Sequence, residues 1–526
     1  VSEQAVAAVT PPTSSAQLRM LRGDSTRYLC AGVYLDTEFR DAALEELLGR
    51  SDRAVAPAFT TDAVPVVRHA LNARHRQVVR DAVLTGVLVL LLIVEGRNLL
   101  ALVALYVAWR LILRALRALA GLRMVAFLAQ VLFALLAVLV AALLFQSGSE
   151  LLSSLTGSGD FESGFSVKVF AVLAAGVFLL LVGLGWVAIV LERLVNRQTI
   201  LEHLNLKSFV PGNAPPEPPA QQARIGYLAE AQTGNVTYYA SSVADRPLIG
   251  AGTPGEPWTL SVPLVPVGDA SEKLGLTTES LEDAISLALA RLDESANEPI
   301  GDEVSVQRRL VTPGTLRPGD QLLDPKSGLL RPRIPAAEMR GLAEAQATGT
   351  NEYLCVRMTP RRADYEIWAF LSCRRQGRML HLELISSCVP PVRAAFREID
   401  KYAELDNNLL LRTAFGALLE LPGLLIRAPL RLLQAVGGHR ARAGLRTTLA
   451  GLASASTSDR GARTSIRELA VDPEVVDFLG NLTTQRQIRL IERTVIETVA
   501  AALEQAGFSA DEFNRRTQAV LDGPAR

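Results

Sequence analysis

Charge of one sign is not in excess in this chain. Lys and Arg total 54, Asp and Glu total 54, and the formal net charge is +0 over 526 residues. A balanced chain lacks the electrostatic footprint of a general nucleic-acid binder, so no nucleic acid is expected as a partner. Cysteine is scarce: Cys30, Cys355, Cys373 and Cys388 are the four. They form no C-x-x-C pair and none lies near a histidine at ligand spacing, so they read as buried reduced thiols in a cytosolic portion. Histidine is nearly as sparse, at His69, His75, His203, His381 and His439. No H-E-x-x-H, P-loop, nucleophile elbow or kinase signature is present, which leaves no catalytic residue, metal or cofactor to expect. The first dozen residues are polar and carry no visible signal peptide, so the first span is expected to direct insertion.

Apolar residues are what the chain has in abundance, at 49% with a mean hydropathy of +0.23. Ala126–Phe145 and Val169–Leu191 contain no charged side chain, and each is long enough to cross a hydrocarbon core as a helix. Ala82–Val94 and Leu99–Trp109 are shorter, reaching about 20 and 17 Å as helices, and are separated only by Glu95, Gly96, Arg97 and Asn98. The expectation is a membrane α-helical region over 78–197 with about four spans, the first two a short hairpin that spans or is re-entrant. Arg68, Arg74, Arg76 and Arg80 precede it, Arg110, Arg114, Arg117 and Arg123 follow the second span, and Arg193 and Arg197 follow the fourth. Gln146–Lys168 holds Glu150, Asp160 and Glu162 against Lys168 alone. By the positive-inside bias this is a multi-pass protein of the cell membrane with both termini cytoplasmic.

The soluble remainder reads as an N-terminal cytosolic module with a disordered tail over 1–77, a Pro-rich linker over 198–224, a cytosolic α+β domain over 225–400 and a helical C-terminal region over 401–526. Arg27–Asp36 has the composition of a short strand, and Asp36 is placed to cap a helix over Thr37–Leu48. Tyr353–Met358, Tyr365–Arg374 and Met379–Cys388 alternate apolar and polar residues between short polar turns, the pattern of an antiparallel meander. Gln485–Ala506 carries Ile488, Ile491, Val495, Val499 and Leu503 on one helical seam, with Asp472–Pro473 as an upstream start signal and Gly507 to end it.

Two patterns hint at chemistry. Gly250, Gly252 and Gly255 spell G-x-G-x-x-G, but Pro254, Pro257 and a strand-like Trp258–Val265 follow where a nucleotide site needs a helix. A turn-rich β connection is the better account. Leu409–Arg446 is strongly apolar, yet carries Arg412, Arg427, Arg431, Arg440, Arg442 and Arg446 with Glu420 its only acid, and Pro422 and Pro429 would break it into short helices. That is the pattern of an amphipathic segment in the headgroups of an anionic leaflet. A core hairpin packed under the meander, with arginines on its wet side, fits it equally. A fifth crossing is not expected, because Arg412, Glu420 and Pro422 interrupt the run.

The run Gly234-Asn235-Val236-Thr237-Tyr238-Tyr239, the later Pro247-Leu248-Ile249-Gly250-Ala251-Gly252 with Trp258, and the stretch Tyr353–Asp400 resemble a segment shared by uncharacterised actinobacterial multi-pass membrane proteins. The resemblance implies the architecture and assigns no functional residue. The sequence as a whole points to a non-enzymatic, membrane-anchored protein whose cytosolic domain is a binding or scaffolding module near the inner leaflet. Its partners would be the lipid bilayer, anionic lipid headgroups and a cytosolic protein, and an oligomer is compatible with this. The alternatives are an oligomeric channel or transporter, or an enzyme with a non-motif site on the meander near His381, Glu383 and Cys388.

Overall fold

The computed structural model describes residues 15–58, 60–120, 161–267, 276–293, 303–317, 319–345, 349–359, 365–401, 407–453, 458–471 and 478–521. In chain order the elements are α1 (Ser15–Leu35), α2 (Thr37–Leu48), α3 (Ala63–Ala120), α4 (Phe161–His203), α5 (Gln222–Ala231), β1 (Val236–Tyr239), β2 (Thr253–Pro254), β3 (Trp258–Pro263), α6 (Thr278–Ala290), β4 (Glu303–Pro313), β5 (Thr315–Leu316), α7 (Ala336–Glu344), β6 (Asn351–Thr359), β7 (Glu366–Gln376), β8 (Met379–Val389), α8 (Ala394–Arg397), α9 (Asn407–Ala453), β9 (Ser458–Asp459), α10 (Ile466–Leu469), α11 (Phe478–Gln505) and α12 (Asp511–Leu521). They fall into two compact units. The first takes in residues 1–73, 199–402 and 449–526, the second 74–198 and 403–448.

The first unit is α+β. Its seven-stranded sheet runs β1-β4-β6-β7-β8, with β2 and β3 both pairing β8; β1 is parallel to β4 and the other pairings are antiparallel. The expected meander is β6-β7-β8, with Leu354 opposite Leu371 and Leu371 opposite Leu384. The period of two sends Leu354, Val356, Ile367, Ala369, Leu371, Leu380 and Leu382 to one face, under α6 and α11. The seam residues Ile488, Ile491, Val495, Val499 and Leu503 of α11 are buried there, so this helix covers the meander. Gly507, at φ +79°, ends it in a left-handed turn. The upstream signal Asp472–Pro473 lies outside the described residues.

Tyr353, Cys355, Trp368 and Phe370 point to the opposite face, packing with Tyr238, Leu248 and Leu310. Central strands covered on both faces read as near-continuous apolar runs, as β7 does. A third cluster joins Leu29, Val33, Phe39 and Leu47 from the first two helices to Ile225, Leu228, Phe396 and Ile466. The strand expected over Arg27–Asp36 is therefore helix: Leu29, Cys30, Ala31 and Val33 are all buried, and tertiary packing overrides the weak local β preference. Asp36 does cap α2, its Oδ1 accepting the N–H groups of Glu38 and Phe39 at 2.8 and 3.2 Å.

The second unit is helical, and it corrects the expected short hairpin. α3 continues unbroken through Glu95, Gly96, Arg97 and Asn98. Without proline, one glycine costs a helix only about 1 kcal/mol, too little to stop one already propagating on both sides. The expected breaks at Pro422 and Pro429 are also absent, since α9 is one helix of 47 residues with both prolines inside. Each interior proline costs about 3 kcal/mol, which the apolar packing of Leu421, Leu425 and Ala428 offsets. Among the described residues, two helical stretches are long and apolar enough to cross a membrane, Gly176–His203 and Leu410–Ala435. Of the expected spans, Ala126–Phe145 lies outside the described residues.

Candidate membrane interface

α3, α4 and α9 pack through a shared apolar seam. Leu84, Val87 and Leu91 of α3 meet Leu181 and Ile189 of α4 and Ala417, Leu421, Leu425 and Ala428 of α9. Gly185 permits the close approach, because a Cβ there would lie 3.2 Å from Leu421, 3.4 Å from Leu84 and 3.8 Å from Val87. The indole N–H of Trp186 donates to the Ala414 carbonyl at 2.8 Å, and Arg193 pairs with Glu420 at 2.5 Å, so α9 is tied to α4 by polar contacts as well.

One turn from the seam lies a layer of charge. Arg80 bridges Asp81 at 2.6 Å and Glu192 at 2.7 Å, linking α3 to α4. Arg76 donates to the Val195 carbonyl and to Asn196 Oδ1. Leu84 stands three residues past Asp81, and Ile189 three residues before Glu192, so the seam begins about 5 Å from this layer.

The outside of the bundle is apolar too. Val89, Leu90, Leu92 and Ile93 on α3, Leu179, Leu180, Leu184 and Leu191 on α4, and Leu411, Phe415, Leu418, Leu430 and Leu433 on α9 are all exposed. A bundle in water turns one stripe inward and a polar face outward; helices apolar all round belong in lipid or a protein core.

α9 has three faces. At about 100° per residue, Ala417, Leu421, Leu425 and Ala428 share a buried arc of about 80°. Leu411, Phe415, Leu418 and Leu433 share an exposed apolar arc of about 60°. Arg412, Arg427 and Arg431 share a third arc of about 100°, with Glu420 and the exposed Leu430 among them. Arg412 and Arg427 are exposed and Arg431 is half-buried. The side chains of Arg440, Arg442 and Arg446 lie outside the described set. The buried face of α9 meets α3 and α4, and α11 covers the meander.

Residues 257–525, just over half of the chain, match the AbeC-like domain. The chain belongs to the AbeC-like domain family. The matched range starts one residue before β3 and runs through the meander, α9, α11 and α12, so the helix with the basic arc is part of the AbeC-like region itself. Of the residues behind the resemblance to multi-pass membrane proteins, Trp258 and Tyr353–Asp400 fall inside this range and Gly234–Tyr239 and Pro247–Gly252 before it. No curated protein and no solved structure matches the chain.

Elsewhere in the AbeC-like protein the glycine motif is occupied by the chain's own carboxylate. Gly250 and Gly252, at φ +94° and +82°, turn their N–H groups onto one oxygen of Glu468, at 2.8 and 3.0 Å. The other oxygen accepts the N–H of Ser465 at 2.9 Å and the hydroxyl of Thr464 at 3.3 Å. Successive N–H groups of this kind make an anion nest, and here Glu468 is the anion. Strands β2 and β3 follow instead of a helix, as the prolines required. The sequence signal for Glu468 is the capping box Ser465-x-x-Glu468, which places its carboxylate at the start of α10 but says nothing of Gly250 and Gly252.

The meander candidates are not brought together as a catalytic group. His381 Nδ1 and Ser261 Oγ are 2.8 Å apart across the β3–β8 pair, and the Cys388 thiol faces the Thr484 hydroxyl at 3.8 Å. No group of three or more metal-ligating side chains occurs among the described residues. The four cysteines are free; Cys30, Cys355 and Cys373 are buried, and burial pushes the Cys355 thiol up to about 12. Glu282 is also perturbed. Burial raises its carboxyl to about 7, outweighing the pull of Arg308 at 3.2 Å.

Proposed function

We propose that this AbeC-like protein is a multi-pass membrane-anchored binding or scaffolding module, with its α+β unit in the cytoplasm close to the inner leaflet and both termini on that side. The single observation that carries the reading is the bundle that is apolar inside and out: Leu84, Leu91 and Ile189 face inward while Leu90, Leu180 and Leu418 face outward. Chain connectivity supports a common side for the soluble parts. The α+β unit is left at Ala73 and rejoined at Thr199, which fits an outward passage and a return. Arg74, Arg76, Arg193 and Arg197 flank the apolar stretches at that end, in accord with the positive-inside bias. The partners are the bilayer, anionic headgroups near Arg412, Arg427 and Arg431, and a cytosolic protein. Among the described residues the seam of α3, α4 and α9 is Leu, Ile, Val and Ala, and the charges one turn from it, Arg80, Asp81 and Glu192, pair with one another.

Extraction of membranes at alkaline pH tests the anchor. The full chain is expected to stay in the pellet and to be released by detergent. Release by alkali alone would refute it.

A further inference from the structure

Leu410–Ala435, a stretch of 26 residues, is long and apolar enough to cross a bilayer. The chain on either side of it argues that it does not. Before α9, Asp400 accepts from Arg27 at 2.7 Å and from Tyr28 at 2.6 Å, within the α+β unit. After α9, Ser458–Asp459 pairs with Thr315–Leu316, Ala462 donates to the Tyr238 carbonyl at 2.9 Å, and Glu468 holds Gly250 and Gly252, all in the same unit. One crossing would place two parts of a single folded body on opposite sides of a hydrocarbon core about 30 Å thick.

The charges agree. Arg412 and Arg431 are 19 positions apart, so a perpendicular helix would separate them by about 28 Å and leave Glu420 and Arg427 inside the hydrocarbon. Laid in the plane of one leaflet, the same side chains sit at headgroup depth, and the apolar arc of Leu411, Phe415, Leu418 and Leu433 turns to the acyl chains. The seam of α9 on α3 and α4 begins about one turn from the Arg80–Asp81–Glu192 layer.

We infer that α9 is a single-leaflet helix, entering and leaving the bilayer on one side and seating Arg412, Arg427 and Arg431 on the phosphates of anionic lipids. The inference rests on the membrane-anchor reading and extends it to the lipid that this face takes.

Two epitopes in the full chain test the topology, one between Gly212 and Asn213 in the exposed linker and one after Arg526. In sealed vesicles of known orientation, antibodies should reach both from the same side. Epitopes on opposite sides overturn the inference while leaving the anchor reading intact, whereas alkaline release of the protein sinks the anchor itself. For the lipid, Gln434→Cys is labelled with an impermeant maleimide in vesicles containing phosphatidylglycerol, with and without Arg412→Gln, Arg427→Gln and Arg431→Gln together. The arginine substitutions should raise the labelling rate several-fold, towards the rate in pure phosphatidylcholine vesicles. An unchanged rate, or equal rates in the two lipids, overturns the headgroup contact.

Discussion

Removing the Glu468 carboxylate should loosen the α+β unit by an amount the geometry sets. Glu468→Ala leaves the N–H groups of Gly250, Gly252 and Ser465 without the acceptor they have at 2.8, 3.0 and 2.9 Å. Each lost hydrogen bond costs about 1 kcal/mol, and more where water cannot replace the carboxylate. Three such losses come to about 2–4 kcal/mol. At about 2 °C per kcal/mol for a large domain, the melting temperature should fall by about 4–8 °C. Glu468→Gln keeps an acceptor for the two glycines but turns its NH2 group towards the Ser465 N–H, so about half the loss is expected. The assay is thermal unfolding of the full chain in detergent, followed by the fluorescence of Trp258 and Trp368, both buried in the affected unit. A Glu468→Ala protein that melts with the parent would refute the reasoning, because three donors would then have lost their acceptor at no cost. The order alanine below glutamine below parent is the second check.

Glu282 should make stability fall as pH rises. Its folded carboxyl titrates near 7 against an ordinary 4.5, so between those values the folded state binds more protons than the unfolded one, and stability drops across that window. Relative to the parent, Glu282→Gln should gain about 2–3 kcal/mol between pH 4.5 and pH 8, read from urea unfolding; parallel curves would exclude a buried protonated carboxyl. Gly185→Ile should push Leu421 and Leu84 off α4 and cost about 1–3 kcal/mol of bundle stability in detergent; an unshifted melt would mean that the seam is not close-packed. Buried thiols with raised pKa are poor nucleophiles, so Cys30, Cys355 and Cys373 should resist iodoacetamide until the protein unfolds, with the half-buried Cys388 reacting first. Early loss of Cys355, detected by peptide mass, would contradict its burial.

Legibility in the sequence followed the range of the forces involved. The meander could be read because a period of two is local: Ile367, Ala369, Leu371 and Cys373 lie on one face wherever the sheet ends up. Asp36 could be read as a cap for the same reason, since its oxygen reaches only two and three residues ahead. The polar run Glu95–Asn98 forms no turn, because glutamate, arginine and asparagine are ordinary in helices and no proline interrupts them. Pro422 and Pro429 do not break α9 either, their local cost being offset by contacts with α3 and α4 that no window of sequence contains.

Composition and periodicity alone therefore determined that apolar helices accompany an α+β body, and that the G-x-G-x-x-G run opens no helix. Only tertiary structure decided which helix roofs the meander, that Glu468 fills the glycine nest 216 residues away in sequence, and that both ends of α9 return to one folded unit. Local patterns are set by backbone geometry within a few residues. Which apolar face meets which depends on the closure of long loops, and many pairings satisfy one hydrophobic pattern until the whole chain is packed.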